Sequence, residues 1–207
     1  MPVGPVLPIF ELPLVLLPGE RLPLHIFEER YTRMIERCIE SGGPFGVVLR
    51  DDDGARSVGC TAVVVEVLER LEDGRLNIVV EGGEPFSVLD RFGDPQEPAA
   101  DVERIEEAED AGADEDALAA RAAFLDLAER ASGRRPEEGE VSSASAYSLA
   151  AMIDLPAETK QELLQLRGEA ERMTLLAEVL RTLLESLDGA EEVAERAQSN
   201  GRVRIGP

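Results

Sequence analysis

The apolar pattern of this chain changes period once, near residue 100, and that change limits the class of fold open to it. Before residue 100, apolar residues alternate or run in short stretches between glycines and prolines. After it, Ala, Leu and Glu dominate and apolar positions recur every three or four residues. A block of strand signals followed by a block of helix signals describes an α+β protein. No apolar run reaches the roughly 18 residues that a membrane-spanning helix needs.

The strand block opens on PVLPIFELPLVLLPGERLPLHIF. Pro8, Pro13, Pro18 and Pro23 forbid a long helix there and confine the segment to extended chain and edge strand. Residues 14–17 are the best strand within it, and Pro18-Gly19 is a turn signal. Residues 27–40 switch to helical spacing through Phe27, Tyr31, Met34, Ile35 and Cys38. Glu28 and Glu29 suit the positive end of that helix, and Gly42-Gly43 ends it. Residues 45–49 (FGVVL) form a short buried strand, and residues 58–71 read as a long strand. Asp73-Gly74 predicts a hairpin, with Leu76, Ile78 and Val80 alternating inward on the return strand and Asn77 facing the other way. Gly82-Gly83 is expected to break that strand, with further strands at 86–89 and 102–105. Five to seven short strands with one helix suggest a small, mostly antiparallel barrel.

The helical block begins at residues 114–131, with Leu118, Ala122, Leu125 and Ala128 on one face. Ser142 and Ser143 are N-cap candidates for a helix in ASAYSLAAMI, and Pro156 suits the first turn of the next. A last long helix carries Met173, Leu176, Leu180, Leu183, Leu184 and Leu187. The expected division is a barrel with one helix over residues 1–107, an acidic linker at 108–113, a helical bundle over 114–190 and a flexible tail at 191–207.

Charge narrows the choice of partners. The formal net charge is −22, and the acidity is spread over both halves of the chain. Such a surface repels phosphate backbones and anionic lipid, so neither nucleic acid nor membrane is an expected partner. Cys38 and Cys60 are not a disulfide framework, and with His25 as the one histidine they supply no zinc site. No metal and no cofactor is expected, and a reducing cytoplasm is the default compartment. The first residues lack a basic region and are broken by prolines, which argues against a signal peptide.

Catalytic chemistry finds little support. The chain has no G-x-x-x-x-G-K-[ST] phosphate loop, and its one lysine, Lys160, follows Thr159. Lys160 lies in a Glu-rich helix start, where an exposed salt bridge is the simpler role than a Ser–Lys dyad. His25 stands at the mouth of the first helix, where a hydrogen bond that orients the junction is simpler than a triad. No catalytic residue is assigned.

Three blocks together resemble a known family. The first is LPLVLLPGERLPLHIFEERY at residues 12–31. The second is the strand pair VGCTAVVVEVLERLEDGRLNIVVEGGEPFSVL, and the third is ASAYSLAAMIDLPAETKQELLQL. Over roughly residues 6–190 the chain resembles the Lon N-terminal domain, the substrate-binding domain of ATP-dependent Lon proteases, which also occurs in stand-alone bacterial proteins. It departs from the family pattern at Leu17, where an aromatic residue is usual, and at Glu29, where proline is usual. The resemblance implies a PUA-like β-pseudobarrel followed by an α-helical bundle. It implies a module that binds an unfolded polypeptide or a protein partner. With no phosphate loop in the chain, the expectation is a non-catalytic module without ATPase or protease domains, as a monomer or weak dimer. Arg21, His25, Phe27 and Tyr31 are the candidate polypeptide-binding residues. Binding by strand addition and binding by apolar side chains in a groove are both open. The alternative is a nucleic-acid or small-ligand module on the same barrel, which rests on fold analogy alone.

Overall fold

Residues 6–93, 96–108 and 114–200 are described by the structure, a computed structural model. In chain order the strands are β1 (Val6–Leu12), β2 (Arg21–Ile26), β3 (Phe45–Asp51), β4 (Gly54–Arg70), β5 (Leu76–Phe92) and β6 (Ala99–Arg104). Helix α1 (Glu29–Ser41) lies between β2 and β3. The helices α2 (Asp114–Ser132), α3 (Glu138–Ser142), α4 (Ala146–Ala151), α5 (Ala157–Gln165) and α6 (Glu169–Asn200) follow. The chain forms two compact units: one contains the six strands with α1, α4 and α5, and the other contains α2, α3 and nearly all of α6.

The sheet order is β2-β5-β4-β3-β1-β6, and β5 also pairs with β6. Strands β5, β4, β3, β1 and β6 therefore close on themselves, while β2 extends the sheet beside the first half of β5. Among the described strands, β1 and β3 are the one parallel pair. Part of the barrel core is Leu7, Ile9, Val48, Phe86, Ala100 and Val102, all buried. The alternation of Leu76, Ile78 and Val80 is realised, with all three buried. The Asp73-Gly74 turn is also present, with Gly74 at φ 88°. The architecture is the expected β-pseudobarrel with a helical part after it.

Two local expectations in the strand block fail for identifiable reasons. Residues 14–17 are not a strand, although Val15, Leu16 and Leu17 are buried. Bracketed by Pro13 and Pro18, they cross the sheet rather than join it, and the strands form on either side. Gly82-Gly83 does not break β5, which runs on to Phe92. Its glycine answers a close approach: a Cβ on Gly82 would lie 2.1 Å from the Leu17 carbonyl oxygen. The glycine thus marks where the crossing segment touches the sheet.

The helical block differs more. The expected bundle over 114–190 is divided, because α4 and α5 belong with the sheet. Helix α5 is tied there by Lys160 Nζ to Glu20 Oε1 (2.6 Å) and by Gln161 Nε2 donating to the Val58 carbonyl (3.2 Å). The first N–H of α4 donates to Glu169 Oε1 (2.6 Å), while Ser142 Oγ donates to the Gly139 carbonyl. In the other unit, α2 buries Ala120, Phe124 and Leu125, whereas Leu118 is 66% exposed. The expected face was rotated because Phe124, the bulkiest side chain of the helix, decides which side turns in. Thr174 Oγ1 donates to Asp116 Oδ2 (2.6 Å), and Arg130 pairs with Asp188. Both contacts advance together along the two helices, so α2 and α6 run parallel. Helix α6 continues to Asn200, past the expected start of a tail at 191. Residues 109–113 of the expected linker and residues 201–207 of that tail lie outside the described residues.

Candidate functional site

Strand β2 alternates as its sequence requires. Arg21, Pro23 and His25 are exposed, Leu22 and Leu24 are half-buried, and Ile26 is buried. Each exposed polar residue has a partner directly opposite on β5. Arg21 Nε donates to Glu81 Oε2 (2.6 Å), and His25 Nδ1 lies 2.7 Å from Asn77 Oδ1. Asn77 Nδ2 in turn donates to Glu69 Oε2 on β4 (3.0 Å). A polar row thus crosses three strands and fixes the His25 ring. That ring stacks near Phe27, with centroids 6.1 Å apart and planes at 23°.

Phe27 precedes α1 rather than lying within it, since Glu28 occupies the N-cap position. It is 66% exposed. A phenyl ring held in water on a fixed imidazole is an unusual use of a large apolar side chain. Arg21, His25 and Phe27 therefore share the β2 surface. Tyr31 does not join them. It is 3% exposed, its ring centroid 4.2 Å from that of Phe10, with the Arg30 guanidinium 4.3 Å over its face. Burial pushes its phenol above the usual range.

A cleft of about 300 Å³ opens beside β2, lined by Pro13, Leu14, Val15, Leu22, Asp154, Leu155 and Ala157 around Glu20 and Lys160. Glu20 Oε2 accepts the Leu17 N–H (2.9 Å), and its other oxygen holds Lys160. The expected exposed salt bridge of Lys160 is in fact largely buried, with side chains 14% and 9% exposed. Both lysine and carboxylate are committed to the clasp between α5 and the β1–β2 segment.

Sequence reasoning missed a second surface, on β4. The β3 partner of β4 ends at Ala62, so residues 63–70 have β5 as their strand partner among the described residues. The β4–β5 register slips between Val64 and Glu66 and again between Val67 and Glu69. Val65 and Leu68 are the extra residues, and they are 43% and 54% exposed. The VVVEVL run reads as part of one long strand, and the bulges turn Val65 and Leu68 of it outward. A cleft of about 140 Å³ lies there, lined by residues 63–67 with Cys38, Ile39, Gly42 and Gly43 of the α1 end.

The thiols are both buried. Burial pushes the Cys60 thiol up to about 12 and raises that of Cys38 as well. Among the described residues no group of three or more His, Cys, Asp or Glu is arranged to hold a metal ion. No helix among them is long and apolar enough to cross a membrane.

Comparison with known proteins places this geometry. The model of the ATP-dependent protease La (LON) substrate-binding domain matches residues 5–182. The chain belongs to that family. This LON domain is 27% identical to a Lon protease of Paraburkholderia phytofirmans over 91% of its own length and 25% of the protease. It is 24% identical to that of Amoebophilus asiaticus over 84% and 23%. The chain thus spans about a quarter of the Lon proteases it matches. Among solved structures it resembles a Lon N-terminal domain protein from Xanthomonas campestris, with a TM-score of 0.66 and 25% identity. That match covers 83% of this chain and 96% of the other. It also shares the fold of the N-terminal domain of Lon protease from the Mycobacterium avium complex, with a TM-score of 0.70 and 19% identity, over 86% and 98%.

Proposed function

We propose that this LON domain is a non-catalytic recognition module that binds unfolded polypeptide through the β2 surface. The observation that carries the reading is Phe27, held in solvent and stacked near a histidine that is itself fixed by Asn77. An exposed aromatic on a rigid support suits capture of apolar side chains from a partner, because little motion is lost on binding. Pro23 lies on the same outward face between His25 and Arg21, and Arg21, paired with Glu81, marks the charged end of that surface. The family supports the same direction: its name describes substrate binding, while ATP hydrolysis and proteolysis belong to whole Lon proteases, of which this chain spans a quarter. The net charge of −22 disfavours RNA and self-association, in keeping with a cytoplasmic monomer or weak dimer.

The test is fluorescence anisotropy of a labelled, permanently unfolded polypeptide titrated with this protein, with labelled RNA as control. Saturable polypeptide binding that weakens roughly tenfold in Phe27→Ala is expected, with no RNA binding. Polypeptide affinity unchanged in Phe27→Ala removes the β2 surface from the reading.

A further inference from the structure

Among the described residues, the outer side of β2 and residues 63–70 of β4 lack a second strand partner, and both edges are poorly suited to strand addition. An edge strand accommodates proline with its nitrogen turned outward, so Pro23 removes a donor that an incoming strand would use on β2. On β4, the bulges at Val65 and Leu68 interrupt the regular spacing of backbone groups along residues 63–70. Recognition of an extended chain at either edge therefore falls to side chains.

The β4 edge is equipped for that. Its bulges deliver Val65 and Leu68 to the surface beside Val63, itself exposed. The neighbouring cleft has walls of Val63, Val64, Val65, Val67, Ile39 and Cys38, and a volume of about 140 Å³. An apolar cavity of about 150 Å³ accepts a benzene ring, so this one has room for a single aromatic or branched aliphatic side chain. The rim is acidic. Glu66 lines the cleft and makes no ion pair among the described residues. Helix α1 presents its C-terminal end there, negative by its peptide dipoles, and its last turn contains no basic residue. The nearby base Arg70 is already paired with Glu36. A second copy of this chain is a poor occupant, because it would bring a second acidic rim against the first.

We infer that the α1–β4 cleft is a separate polypeptide contact, which takes one bulky apolar side chain flanked by lysine or arginine. The inference rests on the polypeptide-binding reading above, but it assigns a different surface and a charge preference. It gives this LON domain two side-chain anchors on one unit, Phe27 just after β2 and the cleft on β4. Selection is by residue type rather than by backbone pairing, and it tolerates many sequences.

Three short unstructured peptides test it: one phenylalanine flanked by lysines, the same flanked by glutamates, and a lysine-flanked serine. Each is titrated against wild type, Val65→Glu, Glu66→Lys and Phe27→Ala, with circular dichroism confirming the fold of each variant. Wild type is expected to prefer the lysine-flanked phenylalanine at least tenfold over the other two. Val65→Glu should lose most of that binding, and Glu66→Lys should shrink the preference for basic flanks. Amide hydrogen exchange on the unaltered protein gives an independent reading: the peptide should slow exchange at residues 39–43 and 63–67. Binding that survives Val65→Glu, depends on Phe27 and leaves exchange at those residues unchanged overturns the cleft while the β2 reading stands. Equal affinity for basic and acidic flanks overturns the charge preference. Absence of binding by any peptide or unfolded chain overturns both readings.

Discussion

Side chains of similar chemistry are used in opposite ways in this LON domain, and the difference is measurable. Phe27 and Tyr31 are four residues apart, yet one is in solvent and the other in the core. Phe27→Ala should change stability by no more than about 0.5 kcal/mol, the range for surface sites. Tyr31→Ala should cost about 3–5 kcal/mol in urea unfolding, the range for a large buried aromatic. Both aromatics were visible as candidates in the sequence. Their separation was not, because it depends on where α1 begins, and helix starts shift by a residue or two with tertiary packing. The cysteines make a pH prediction. The Cys60 thiol rises from an unfolded value of 9.0 to about 12 because its site is buried. A raised folded pKa means that the folded state holds its proton more tightly. The stability this confers is complete below pH 9.0 and is lost progressively as pH climbs towards about 12. Urea unfolding at pH 8 and pH 10.5 should show this loss, and Cys60→Ala should reduce it. An equal loss in the variant assigns the effect to other groups.

At the level of elements, local patterns were readable wherever one face of a strand decided its own burial. The β5 alternation and the Asp73-Gly74 turn are of this kind. Features that depend on a partner's register were hidden. No pattern within VVVEVL announces that β5 will leave Val65 and Leu68 unmatched, and no pattern around Gly82 announces that Leu17 will cross it. Gly82→Ala tests the crossing directly, since its Cβ would meet backbone rather than a yielding side chain. A loss of about 1–3 kcal/mol is expected from thermal unfolding, and a neutral result would show that the crossing segment can move aside. Pro23 makes the complementary case on β2. Pro23→Val restores an outward N–H, and sedimentation should then detect more self-association than in wild type.

For the whole molecule, charge and the α5 clasp dominate. A net charge of −22 repels itself in the compact state, so the melting temperature should rise from low salt to about 0.3 M as screening increases. Lys160→Met should cost about 3 kcal/mol, because it leaves Glu20 buried without its cation. Adding Glu20→Leu should recover part of that loss, which would show that the penalty lies in the orphaned charge. The clasp also sets an order for biosynthesis. Glu20 and Lys160 are 140 residues apart in sequence. At about 5–20 residues per second, translation separates them by roughly 7–28 seconds. The six strands leave the ribosome well before α5, so the nascent barrel spends that interval with its Glu20 carboxylate uncompensated and the cleft beside β2 without its α5 wall. A chaperone that meets this chain during synthesis meets an unlatched barrel, and closure awaits the arrival of the single lysine.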